Sequence, residues 1–158
     1  MKEATIRDFF LGAAPLARLE AEARAAVEPV GRNSRRVHIQ DLPPGEEVTV
    51  TGDMLVRLCD AVLAGSLPAS TLETVAFAIV ASDHFRWDDS DELIGRVLYD
   101  WAAPEINFEL TPANLRMFRD WLTGNMTPPS EPDMTPDTLS ELGFPRRTSK
   151  VRVIPEAG

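Results

Sequence analysis

A chain of 158 residues with an apolar fraction of 44% is long enough for one domain with its own core, with room for an appendage. The formal net charge of −9 argues against a broad phosphate-binding face and against anionic membrane surfaces, and favours a soluble protein that steers toward basic partners. The single cysteine, Cys59, excludes an internal disulfide and any CxxC metal pair, and its apolar setting (LVRLCDAVL) reads as a buried core thiol.

No run approaches the roughly 20 apolar residues of a membrane span. Arg7 and Asp8 interrupt the apolar stretch near the N-terminus, so no secretory leader is expected and the expected compartment is the cytoplasm. Ile6, Phe9, Phe10 and Leu11 form an apolar cluster before Pro15. Leu16, Leu19, Ala23 and Val27 then follow helical spacing through the Ala-rich AEARAAVE, and Pro29 and Gly31 end that helix. RRVHIQ and EEVTV alternate in polarity around DLPPG, which predicts a short β-hairpin near residues 35–50. An isolated hairpin is marginal, so this one is expected to lie against helices.

The next section is well punctuated. Thr51 or Asp53 opens a helix with Met54, Leu55, Leu58, Cys59 and Val62 inward and Gly65 as its stop. Ser70 and Glu73 have the spacing of a capping box, and TLETVAFAIVAS behind them is apolar nearly all round, as a central helix would be. Asp89-Ser90-Asp91-Glu92 reads as a second box before Leu93, Ile94, Val97, Leu98 and Trp101, with Pro104 as terminator. Thr111 caps a last helix with Pro112 at its first position, Leu115, Phe118, Trp121 and Leu122 on its inner stripe, and Gly124 beyond it. The expected fold is mainly α: a small helical bundle with the short β-hairpin over residues 1–124, and an extended Pro-rich C-terminal arm over 125–158. Within the arm, Leu139, Leu142 and Phe144 are candidate anchors, and RRTSKVRVIP is basic and partly β-like.

The charge is concentrated. Residues 83–109 hold eight carboxylates against Arg86 and Arg96. Asp89, Asp91 and Glu92 fit a first helical turn, where carboxylates satisfy open amides and the helix dipole. Asp83, Asp88, Asp100, Glu105 and Glu109 have no such local account. A solvated acidic face explains them as simply as a partner-binding face does.

Chemistry finds little support. GxSxG, GxxxxGK[ST] and GxGxxG are absent, and no Ser–His or Cys–His pairing is evident. Asp83, His84, Asp88 and Asp89 are the one metal-like set. A calcium loop starting at Asp89 lacks the turn glycine, and its twelfth position is Asp100 rather than Glu. No metal and no cofactor are expected, and an enzyme would need a deep pocket around His84 or His38. Arg32, Arg35 and Arg36, and Arg146, Arg147, Lys150 and Arg152, form two small basic clusters, but VAFAIVASD lacks the basic or amide side chains of a DNA-reading helix. No nucleic acid is expected. Trp101 belongs to a buried stripe. Phe85 and Trp87 alternate in the loop before the acidic helix, so one is expected in and one out, and an aromatic beside acids suits an interface hot spot. The candidate partner-binding residues are therefore Asp83, His84, Phe85, Trp87, Asp88, Asp89, Asp91, Glu92 and Glu105.

LCDAVLAGSLPASTLETVAFAIVAS, FRWDDSDELIGRVLYDW and PEINFELTPANLRMFRDWL together resemble the small acidic helical immunity proteins of bacterial toxin systems, colicin-type ones included, over residues 53–123. The resemblance implies an inhibitor that covers a basic nuclease site with acidic side chains, here Asp83, Asp88, Asp89, Asp91 and Glu92. The expectation is a non-catalytic module with an acidic face for a basic protein partner. The alternative is a phage or secretion-system assembly protein that makes its contacts through the C-terminal arm. Deleting residues 125–158 separates the two: binding survives in the first and assembly is lost in the second.

Overall fold

Six helices and two small two-stranded sheets organise residues 1–130, which are the residues described in this computed structural model. The greater part of the expected arm, with Leu139, Leu142, Phe144 and RRTSKVRVIP, lies outside the described residues.

Helix α1 (Glu3–Phe10) buries Ile6, Phe9 and Phe10, as their spacing requires, while Leu11 just past its end is exposed. Its start is clamped by the backbone: Glu3 N–H donates to the Gln40 carbonyl at 3.0 Å, and Gln40 N–H to the Met1 carbonyl at 2.9 Å. The Glu3 side chain is buried and accepts from the Leu42 N–H at 2.8 Å. Helix α2 (Leu16–Ala26) buries Leu19, Ala23 and Ala26.

Helix α2 ends at Ala26, before Pro29 and Gly31, and Val27, expected on the helix, is already extended. Strand β1 (Val27–Val30) turns at residues 31–33 and pairs antiparallel with β2 (Ser34–Val37). Gly31, at φ 70°, takes the left-handed conformation that opens this turn. The hairpin therefore lies at 27–37, and the expected partnership of RRVHIQ with EEVTV is not made. From EEVTV, β3 (Val48–Thr49) pairs instead with β4 (Phe85–Arg86), in parallel.

Thr51 caps α3 (Gly52–Leu63), its hydroxyl accepting from Met54 N–H at 3.4 Å. Leu55, Leu58 and Cys59 are buried there, while Met54 and Val62 are half-buried. The central helix α4 (Ala69–Ala81) buries Leu72, Val75, Ala76, Ala78 and Ile79. It begins directly after Pro68, with no side-chain cap. Ser70 is thus inside its first turn, where its carbonyl accepts from the Thr74 hydroxyl, and Glu73 pairs with Arg35 rather than reaching back. The capping box expected at Ser70 is corrected accordingly.

Helices α5 (Glu92–Ala102) and α6 (Pro112–Thr123) complete the bundle. α5 packs on α4, and α6 on α3. Thr111 caps α6 onto Asn114 N–H at 3.2 Å, Pro112 opens it, and Gly124 closes it at φ 77°. Trp101, Phe118 and Trp121 meet edge to face, with centroids 6.0 Å apart for Trp101–Phe118 and 5.3 Å for Phe118–Trp121. Arg57 of α3 lies over the Phe9 ring and donates to the Phe10 carbonyl at 3.0 Å, tying α3 to the end of α1.

Cys59 is the buried thiol its context implied. Its Sγ–H donates to the Leu115 carbonyl at 3.1 Å, and burial, with Asp60 nearby, pushes its pKa up to about 12. The unfolded thiol ionises near 9. Between pH 9 and 12 the unfolded state therefore sheds a proton that the folded state keeps, and stability falls as pH rises, by at most about 1.4 kcal/mol per unit. A thiol-reactive dye at pH 8 should label Cys59 only as fast as the protein opens. Labelling of the native protein at the rate of free cysteine would refute this burial.

Candidate functional site

The loop SDHFRWD is more built than its polarity suggests. Pairing of β3 with β4 fixes its backbone: Val48 N–H donates to the His84 carbonyl at 2.8 Å, and Val50 N–H to the Arg86 carbonyl at 2.7 Å. His84 N–H donates to the Ser82 hydroxyl at 2.9 Å. The His84 ring lies 2.8 Å from the Glu46 carbonyl through Nδ1. A carbonyl only accepts, so Nδ1 carries the proton. His84 thus serves as a strut between two loops. Arg86 is exposed and lies 3.6 Å from Glu47.

Phe85 is fully buried, at 0% exposure, and belongs to the core. Its assignment as a partner-contacting residue is corrected: the inward face of β4 carries it under the loop. Trp87, two residues on, is half-buried and lies against α5. Gly95 makes that contact possible, because a Cβ there would stand 3.0 Å from the Trp87 ring nitrogen. Gly95→Val should lift Trp87 off the helix at a cost of about 2 kcal/mol, from overpacking and a β-branched side chain. A red shift in tryptophan emission reports the displacement; unchanged emission and melting would show that Trp87 is not held there.

The acidic residues divide by role. Asp88 accepts from the Ser90 hydroxyl at 2.6 Å and the Ser90 N–H at 2.9 Å, and these bonds hold its pKa below the usual carboxylate value. Asp91 is the N-cap of α5, accepting from Leu93 N–H at 3.2 Å. Asp89, expected to open the helix, lies before it. Asp83, Asp89 and Glu92 are exposed, and none of them makes an ion pair among the described residues. Glu105 does not join this face. It lies beyond the other end of α5, a helix of 11 residues and so about 16 Å long. There it lines a groove with Arg35 and Glu73.

Neither His38 nor His84 lines that groove or the two that adjoin it. Among the described residues no three histidine, cysteine or carboxylate side chains converge as metal ligands, and no helix is long and apolar enough to cross a membrane. Two features had no flag in the local pattern: the parallel β3–β4 pair and the Arg35–Glu73 ion pair. A third, Gly95, was legible in principle, since a glycine inside a strongly apolar helical stripe signals a close neighbour. Comparison with known protein families, curated proteins and solved structures found no match.

Proposed function

We propose that this protein is a non-catalytic cytoplasmic binding module whose acidic loop, residues 83–91, and the start of α5 engage a basic protein partner. The partner proposed is a toxin, neutralised by occlusion of its active surface. The observation that carries this reading is three exposed carboxylates, Asp83, Asp89 and Glu92, set on a backbone that is already held at both ends. β3 clamps one end and the Asp88 and Asp91 turns brace the other. Little conformational entropy is then lost on binding, and the uncompensated negative field speeds encounter with a basic surface. Trp87 adds an apolar contact at the edge of the charge.

The test begins with capture of the partner from the native source, followed by binding kinetics. Reversal of Asp83, Asp89 and Glu92 to lysine should slow association by about tenfold or more and flatten its dependence on salt. Association of the triple variant at the wild-type rate, or a captured partner with no basic surface, would sink the proposal.

A further inference from the structure

The β1–β2 hairpin takes no part in the acidic face, and its two edges are not equivalent. The register sets Val27 opposite Val37, Glu28 opposite Arg36, Pro29 opposite Arg35 and Val30 opposite Ser34. His38 N–H donates to the Ala26 carbonyl at 2.9 Å. In an antiparallel ladder that bond fixes the alternation. Glu28–Arg36 and Val30–Ser34 are the pairs that exchange bonds. Val27–Val37 and Pro29–Arg35 are the pairs whose backbone groups point outward. On β1 one outward position is Pro29, which has no N–H to offer, so that edge is blunted. On β2 the outward positions are Arg35 and Val37. Both have N–H and C=O groups, and neither backbone is bonded elsewhere among the described residues.

Two further observations concern the hairpin as a whole. A groove of about 760 Å³ runs beneath the hairpin, lined opposite it by Glu73, Thr74 and Phe77 of α4, Ala102 of α5 and Glu105 just beyond, so its floor is apolar between two carboxylates and the positive charge lies on the hairpin side. The hairpin is also positive on a negative molecule: residues 27–37 carry Arg32, Arg35 and Arg36 against Glu28. Arg35 is tied across the groove to Glu73. Arg32 and Arg36 are exposed and make no ion pair among the described residues, and Glu28, opposite Arg36, is bonded to His38 at 2.8 Å.

We propose that the β2 edge is a docking site for an extended, acidic segment of a partner protein, which adds as a third strand. Alternate side chains of that segment would face opposite ways. Acidic ones lie on the outer face beside Arg36, and small apolar ones lie on the inner face over Phe77 and Ala102. A second copy of this chain is a poor occupant, because an antiparallel β2–β2 pair that bonds Arg35 to Val37 would set Arg36 directly opposite Arg36. This site is separate from the acidic loop and does not depend on its role.

The test uses the full chain and two labelled hexapeptides, one alternating glutamate with valine and one alternating lysine with valine. The glutamate peptide should bind, and the lysine peptide about tenfold more weakly. Binding should slow exchange of the Arg35 and Val37 amides. Val37→Pro deletes an outward N–H without touching the bonded pairs, and it should abolish binding. Arg32→Glu with Arg36→Glu should reverse the peptide preference. The lysine triple variant of the acidic loop should bind the glutamate peptide as the wild type does. The proposal is overturned by no binding of the glutamate peptide, by binding that leaves Arg35 and Val37 unprotected, by wild-type binding to a folded Val37→Pro variant, by preference for the lysine peptide, or by a dimer paired through β2.

Discussion

Phe85→Ala is expected to destabilise the protein by about 3–5 kcal/mol, the usual cost of emptying a fully buried aromatic site. Phe85 is at 0% exposure and is held from two sides, by its place in β4 and by the core beneath. Domains of this size are stable by only about 5–15 kcal/mol, so the loss is a large share of the total. A second readout separates this site from any other core position. Val48 and Val50 donate their N–H groups to His84 and Arg86, the residues on either side of Phe85. Their amide exchange should quicken more than that of α6 in the same variant. Equal acceleration everywhere would show that the loop is not anchored by this ring. A loss below about 1 kcal/mol in urea unfolding would show that the ring is not core at all.

Trp101→Ala should cost about as much or more, roughly 4–5 kcal/mol, and lower the melting temperature by about 12–15 °C. Trp101 is also at 0% exposure and meets Phe118 edge to face at 87°. Its indole N–H is buried with no hydrogen-bond partner among the described residues. Trp101→Phe therefore removes volume and an unsatisfied donor together. Its cost should be only about 1–2 kcal/mol, because losing that donor offsets part of the packing loss. Equal penalties for the alanine and phenylalanine variants would mean that the indole N–H has a partner that matters.

The helices were legible where their signals were local. Thr51, Thr111 with Pro112, and Gly124 mark ends that the chain adopts as its residues dictate. The hairpin was misplaced because Pro29 and Gly31 are stop signals and turn signals alike. VEPV and SRRV are short and mostly exposed, with no buried alternation to announce them. Ser70 and Glu73 satisfy a capping pattern, yet Pro68 lets the helix start earlier, and Arg35 takes the glutamate for a tertiary contact. β4 is two residues long and exists only because β3 lies beside it, so nothing within FR could reveal it. The acidic loop stands out in the sequence by its density of carboxylates and aromatics. Its division into a core ring, a packed indole, two turn-making aspartates and three outward carboxylates depends on neighbours that local spacing does not contain.

The parallel β3–β4 pair also bears on how the chain folds. The His84 ring and the Glu46 carbonyl that meets it are 38 residues apart, with all of α3 and α4 between them. Closing so long a segment costs entropy before any strand bond repays it. The two intervening helices must dock first to bring the ends together. In refolding, substitutions in β3 and β4 should then leave the folding rate nearly unchanged and speed unfolding, giving φ-values near zero, whereas the α3–α4 contact should give high ones. The acidic loop would accordingly be among the last parts of the molecule to take shape.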